Sequence, residues 1–328
     1  MSAVDSPSAP PATRPPAEAP TESRRPRKRR SINSGGVTPF LLTVPALLLL
    51  AGLLGYPLVR MVILSFQSIG LRQLFADLPP TPVGFDNYVK IFTDSTFYSV
   101  VARTIAFTVV SVLVTVLFGL GVALLMRRVA PSVRIAMIVA MMFVWAMPQL
   151  VATQTFRWLV DSDFGVINYL LNLLPGVDFV GHSWFADPWQ GWLVITAIVV
   201  WAGTPFIAIT LNAGLTQVPK ELLEAATVDG ASSMQALRKV TLPILKPLII
   251  IVTTLSVIWN FGLFTQVWAL RGGRPEQEYQ VLATWAYSTA FKNNNYGVGS
   301  AIAVVTVILL LGVMAFYMRQ MFKIGDVD

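Results

Sequence analysis

Six long apolar runs leave this chain few ways to fold. They lie near 38–64, 104–126, 135–158, 191–215, 247–270 and 297–318. At ~1.5 Å of rise per residue, each is long enough as a helix to cross ~30 Å of hydrocarbon. Within lipid the backbone must satisfy its own polar groups, and runs of this length do so as helices. Composition agrees, since 55% of the 328 residues are hydrophobic and only 12% are charged. A soluble globular chain carries roughly 25% charged residues. The fold class expected is therefore an all-α integral membrane protein with six crossings.

Several function classes fall away on residue content. There is no Cys, which removes disulfide and thiolate chemistry. The single His, His182, cannot build a multi-His metal site, so no metal ligands are nominated. The chain has no GxxxxGK[ST] loop, and no Lys is followed by Ser or Thr. A phosphate cradle is thus missing, and the chain is not expected to hydrolyse ATP itself. No titratable pair or nucleophile–base arrangement stands out, so no catalytic residue is nominated. No ionisable residue sits in the middle of an apolar run. Proton- and sodium-coupled carriers need such a group at membrane depth, which argues against secondary transport. If solute moves uphill, a partner supplies the energy.

Charge sets the expected topology. Residues 1–36 are rich in Pro, Ala, Ser and charge, and end in Arg24-Arg25-Pro26-Arg27-Lys28-Arg29-Arg30. This composition cannot bury a core and reads as a disordered tail. It lacks a convincing cleavage site, so it is not read as a removable signal peptide. The basic cluster before the first run reads as a cytoplasmic anchor on anionic lipid rather than a nucleic-acid patch. An even number of crossings then places both termini in the cytoplasm of a multi-pass cell-membrane protein. The connection at 127–134, with Arg127, Arg128 and Arg134, and that at 216–246, with Lys220, Arg238, Lys239 and Lys246, fall inside. Exterior connections hold Asp77, Asp86, Asp94, Asp161, Asp163, Asp178, Asp187, Glu276 and Glu278, with Arg271 and Arg274 as exceptions. Trp184, Trp189 and Trp192 fit an aromatic belt. Residues 163–174 read as an interfacial helix capped by Asp163. Pro45, Pro57, Pro148 and Pro205 interrupt apolar runs, each as a kink or as an opening of backbone beside a pathway.

Between the fourth and fifth runs the chain reads ELLEAATVDGASSMQALRKVTLPILKP from Glu221 to Pro247. Pro219 can open a helix, and Glu221 and Glu224 suit the positive end of its dipole. Ala225 and Ala226 are small and strong helix formers. Asp229-Gly230 ends the helix, because Gly accepts the left-handed conformation there. Ser232 or Ser233 can cap a second short helix running to about Val240. Leu242-Pro243 and Pro247 mark the start of the next run. Local physics leaves two readings: an amphipathic connector on the lipid surface, or a rigid helix–turn–helix offered to a partner.

The spacing of Glu224, Ala225, Ala226, Asp229, Gly230, Ala231, Leu242 and Pro243 resembles the EAA loop of binding-protein-dependent ABC importer permeases. Val240 stands where the family usually has Ile. Gly84-Phe85-Asp86-Asn87-Tyr88, Met147-Pro148 through Trp158, Gly165-Val166-Ile167-Asn168 and Tyr287 through Phe291 resemble further segments of the sugar-transporting branch. That branch is of the maltose, glycerol-phosphate or trehalose permease type. Phe264-Thr265 and Arg271-Gly272-Gly273 depart from the family's Phe-Asp and Thr-Gly-Gly. The resemblance implies a type I importer permease core over 37–328 with a cytoplasmic coupling helix in 216–246. It implies coupling roles for Glu224, Ala225, Ala226, Asp229, Gly230, Leu242 and Pro243. The implied partners are a second homologous permease, two copies of a cytoplasmic ABC ATPase that binds ATP and Mg, and an extracytoplasmic substrate-binding protein. No cofactor is implied for this chain.

Neutral sugars are held by aromatic faces and neutral hydrogen-bonding groups. The apolar runs supply Trp145, Gln149, Gln154, Trp201, Thr204, Trp259, Asn260 and Gln266. Each alone is equally explained by helix–helix packing. As a set, Trp145, Gln149, Trp201, Trp259, Asn260 and Gln266 are nominated for a substrate path, with Asn260 and Gln149 foremost. Two other functions fit the same residues: an energy-independent facilitator, or a membrane anchor that recruits a partner through 216–246.

Overall fold

A computed structural model of the chain describes residues 37–76 and 78–325. The tail 1–36 with its basic cluster, and Asp77, lie outside the described residues. Contacts divide the chain into two units, 1–52 and 53–328. In the first, α1 (Val37–Leu50) carries Pro45 inside the helix and exposes Leu42 and Leu48. A π-helical turn, Ala51–Gly55, follows.

The second unit holds the other helices. They are α2 (Tyr56–Ser65), α3 (Leu71–Phe75), α4 (Asp86–Thr93), α5 (Ser95–Met126), α6 (Pro131–Ala146) and α7 (Gln149–Leu159). There follow α8 (Val166–Asn172), α9 (Pro188–Leu215), α10 (Lys220–Val228), α11 (Ser233–Ala236) and α12 (Leu242–Phe261). The last are α13 (Thr265–Leu270), α14 (Leu282–Tyr287) and α15 (Tyr296–Gly325). Two short strands, β1 (Gln67–Ser68) and β2 (Thr81–Pro82), pair antiparallel with Gln67 opposite Pro82.

Among the described residues, five helical stretches are long and apolar enough to cross a membrane: Leu41–Ser65, Ser95–Met126, Pro188–Leu215, Ser233–Leu270 and Tyr296–Arg319. The third expected crossing, 135–158, is not one straight helix. It divides into α6 and α7, bent by 99° at Met147–Pro148. The cause is local: the residue before a proline is pushed out of the helical region, and Met147 sits at φ −67°, ψ 130°. Of the four prolines read as interruptions, this one produces the sharp bend. Pro45 and Pro205 remain inside continuous helices, and Pro57 lies in the first turn of α2.

Three apolar clusters hold the bundle. At one end Ala123 of α5, Leu211 and Leu215 of α9, Leu245 of α12 and Val218, between α9 and α10, interlock. At the other, Phe107, Val194, Ile195, Val267 and Tyr279 form a second cluster. A third joins Phe97, Val100, Phe261, Ala301 and Ile302 between α5, α12 and α15.

The loops at the end remote from the 216–246 connection are pinned by side chains. Asp94 and Asp187 cap α5 and α9, accepting from Thr96 N and Trp189 N at 2.8 Å each. Arg103 donates to the carbonyls of Gln277 and Gln280 at 2.7 and 2.8 Å. The Trp184 indole donates to Asn168, and the Trp192 indole to the Glu278 carbonyl. These two tryptophans therefore tie loops together, while Trp189 stays exposed. The expected helix at 163–174 is shorter and begins after Gly165; Asp163 does not cap it. Asp161 instead accepts from Asp163 N and Phe164 N, which holds its carboxyl below the usual carboxylate range.

Arg271 forms a two-pronged pair with Glu276 at 2.8 and 2.5 Å and lies over the rings of Phe185 and Tyr279. The Arg271 hydrogen bonds hold the Glu276 carboxyl below its ordinary range.

Candidate functional site

Two features carry the chemistry of this fold, an elbow between α9 and α12 and a cavity where helices break. The elbow begins at Pro219, which occupies the N-cap position rather than the first helical residue, and Glu221 lies in the first turn of α10. Gly230 has φ +78°. Ala231 N donates to the Ala226 carbonyl at 2.9 Å and Gly230 N to the Thr227 carbonyl at 3.0 Å. This pair of bonds is the Schellman closure, which needs a left-handed residue at its turn. Ser232 and Gln235 then cap each other reciprocally, with Ser232 N donating to Gln235 Oε1 at 2.8 Å.

The second arm differs from expectation. It does not end near Val240 but passes through a π-helical turn, Leu237–Thr241, straight into α12 at Leu242. The elbow is fixed to the bundle by apolar contacts: Val218 is buried and Leu223 packs on the cluster of Leu215 and Leu245. Its other face is open. Glu224, Ala225, Asp229 and Gly230 are exposed, together with Leu222, Met234 and Val228, the last 87% exposed.

The cavity has a volume of about 430 Å³. Trp145, Gln149, Trp201, Trp259, Asn260 and Gln266 all line it. Gln154 and Thr204 do not; Gln154 is exposed, and the Thr204 hydroxyl bonds the Val200 carbonyl at 2.6 Å. Thr115, Ser256, Phe264 and Thr265 also line the cavity, though nothing in their local pattern nominates them. Small hydroxyl groups in helices are usually satisfied by a carbonyl one turn back, as Thr115 is by Ser111, and so leave no sequence signal.

The breaks lie in the lining itself. Met147 and Gln149 flank the bend between α6 and α7, and Gly262 and Thr265 flank the gap between α12 and α13. Irregular backbone at membrane depth is tolerated where it faces protein or a wet cavity. Asn260 and Gln266 are 8% and 5% exposed. Asn260 Nδ2 donates to the Ser256 carbonyl at 2.7 Å, and Gln266 Nε2 reaches Gln149 Oε1 at 3.5 Å. Among the described residues, no partner is formed by Asn260 Oδ1 or Gln266 Oε1. Trp145 and Trp259 flank Phe206, stacked at 6.4 Å and edge-on at 5.1 Å. Trp201 meets Phe156 edge-on at 5.3 Å. Among the described residues no Asp, Glu, Lys, Arg or His lines this space, and no cluster of metal-binding side chains occurs.

The chain is similar to known proteins in sequence and in fold. Residues 116–323, which contain the elbow and, apart from Thr115, the cavity residues named above, match the family described as binding-protein-dependent transport system inner membrane component. The diacetylchitobiose uptake system permease protein DasB of Streptomyces coelicolor is 38% identical over 297 residues, 90% of each chain. The sulfoquinovosyl glycerol transport system permease protein SmoG of Agrobacterium fabrum is 33% identical, over 91% of this chain and 95% of its own. In fold, the chain is similar to one from a bacterial ABC transporter involved in import of the acidic polysaccharide alginate. That match has a TM-score of 0.72 and 19% identity, covering 87% of this chain and 95% of the other. With its bundle of membrane-crossing helices, its elbow and its broken-helix cavity, the chain belongs to the binding-protein-dependent transport system inner membrane components, the permease subunits of ABC transporters.

Proposed function

We propose that this permease forms half of the pathway of an ATP-driven sugar importer and takes up the energy of hydrolysis through its elbow. One observation carries the reading. The elbow runs without interruption into α12, and α12 ends at the cavity with Asn260 and Gly262 in its lining. Twenty residues of helix span ~30 Å, so one stiff element joins the exposed turn to the cavity. In this reading the elbow and both termini face the cytoplasm. Glu224, Ala225, Ala226, Asp229, Gly230, Leu242 and Pro243 form or support the surface against a cytoplasmic ATPase, and Glu224 meets a basic group in its cleft.

The remaining parts follow from that arrangement. The half-exposed Trp145 and Trp259 leave the cavity open on one side, and a second homologous permease closes it. Two ATPase copies, one per permease, bind ATP and Mg; this chain holds no cofactor and performs no catalysis. A substrate-binding protein delivers sugar from outside. ATP binding closes the ATPase pair, the elbows move with it, and the cavity changes the side to which it opens. Such an equilibrium shifts only through differential binding energy, here from ATP and the loaded binding protein. A carbohydrate solute is supported by the names of relatives that carry diacetylchitobiose and sulfoquinovosyl glycerol, and by three tryptophans and three amides around the cavity.

The test is Glu224→Arg in the reconstituted complex. Reversal of this charge uncouples ATP hydrolysis from uptake or releases the ATPase on purification. Full uptake with normal assembly would refute the assignment. Flux of sugar through the chain alone in liposomes would instead favour a facilitator.

A further inference from the structure

We infer that this chain's share of the pathway selects an uncharged solute, one whose groups both donate and accept hydrogen bonds, and rejects its acidic counterparts. The inference rests on the sugar-importer reading above and narrows the class of sugar.

Three observations support it. The first is the lining. Its buried polar side chains are amides and hydroxyls, with no charged group among them. An amide offers two donors and an acceptor at one position. Asn260 and Gln266, both more than nine-tenths buried, each keep an amide oxygen without a protein partner. Sugar hydroxyls, which donate and accept, complement such a set. A carboxylate or sulfate only accepts, and would enter a desolvated space with no cation to offset the loss of its water.

The second observation concerns the helix ends. Four of them meet in the lining: the C-terminal ends of α6 and α12, at Met147 and Gly262, and the N-terminal ends of α7 and α13, at Gln149 and Thr265. Helix ends carry partial charges, negative at the C-terminus and positive at the N-terminus. Neither sign predominates among these ends, and they add no charged side chain to the lining. They still supply carbonyls and N–H groups that intrahelical bonding leaves free.

The third concerns Arg271 and Arg274, the exterior cations that would suit an anion; neither lines the cavity, and Arg271 is already engaged. Its guanidinium is held by Glu276 and stacked against Phe185 and Tyr279. It is engaged in holding the loop and lies outside the cavity lining. The faces of Trp145, Trp201 and Trp259 suit the C–H side of a sugar ring, since an aromatic face is electron-rich.

The experiment uses the assembled complex in detergent without the external binding protein, whose own selectivity would otherwise intervene. Saturation-transfer NMR is recorded with diacetylchitobiose as the neutral probe and with a disaccharide of glucuronic acid and N-acetylglucosamine as the acidic one. The neutral sugar should give at least a fivefold larger signal, and Gln266→Ala or Asn260→Ala should reduce it. Gln266→Lys should lower the neutral signal and raise the acidic one. An acidic signal equal to or above the neutral one, and sensitive to the same two Ala variants, would overturn the selectivity. Failure of the underlying reading looks different: neither sugar gives a signal that depends on Asn260 or Gln266, and the inference falls with it.

Discussion

The turn of the elbow depends on a single backbone conformation, and its strength can be measured. Gly230 sits at φ +78°, and a Cβ placed there would meet no atom within 4 Å. The cost of Gly230→Ala is therefore conformational and not steric. Holding an L-residue in the left-handed region costs ~1–2 kcal/mol. At 1.4 kcal/mol per factor of ten, the local opening constant should rise about 5–30-fold. The reporters are the amides of Gly230 and Ala231, bonded to the carbonyls of Thr227 and Ala226 at 3.0 and 2.9 Å. Hydrogen exchange of the segment 226–236, followed by mass spectrometry on the permease in nanodiscs, reads that constant directly. Gly230→Asn should stay close to the parent, because Asn tolerates this region. Equal protection in parent, Ala and Asn variants would show that the turn is not held by its left-handed residue, and the account of the elbow as a pre-formed knob would fail.

Other consequences can be checked separately. Asn260→Ala should weaken uptake or shift its selectivity while the complex still assembles; unchanged transport would remove Asn260 from the path. Gly297 of α15 lies against β1, where an added Cβ would meet the Gln67 carbonyl oxygen at 2.0 Å. Gly297→Ala should cost ~1–3 kcal/mol by overpacking, seen as a clearly lower apparent Tm in detergent; an unchanged Tm would mean that α15 can shift freely there. Glu276 has a carboxyl pKa depressed by Arg271 below the reference of 4.5. Its contribution to stability is thus full above that reference and is lost as pH falls through the depressed value. The Tm difference between parent and Glu276→Gln should be present at pH 7 and vanish in strong acid; a difference that persists there would exclude the pair as its source.

The crossings were legible because hydropathy alone decides them, and the elbow was legible because its caps are local. Gly230, Ser232 and Gln235 act within a few residues of one another, so the pattern contains the geometry. The bend at Met147–Pro148 was visible only as an option among four prolines. Apolar content does not report direction, and packing absorbed Pro205, which is buried within α9. The loop anchors were not legible. Arg103 finds its carbonyls 174 and 177 residues away, and Leu282 N finds Thr104 at a separation of 178. Asn87 in the Gly84–Tyr88 segment bonds the carbonyls of Ser65 and Gln67 at 2.9 and 3.0 Å, a fastening that no local pattern announces. For the cavity, an amide or indole inside an apolar run was an adequate signal. Phe264 and Ser256 carried none, since each is ordinary in a membrane helix.

In the proposed coupling, α12, continuous from Leu242 to Phe261 with Pro247 inside it, acts as a lever between the elbow and the cavity. For a rod ~30 Å long, a tilt of about 5° around its centre displaces each tip by about 1.3 Å. The Gln149–Gln266 contact just beyond the inner tip stands at 3.5 Å, already the outer limit of a hydrogen bond. Under the proposed coupling, a displacement of that size suffices to part the Gln149 and Gln266 amides. Under the proposed coupling, a push on the elbow reaches the cavity through a small tilt of α12 alone.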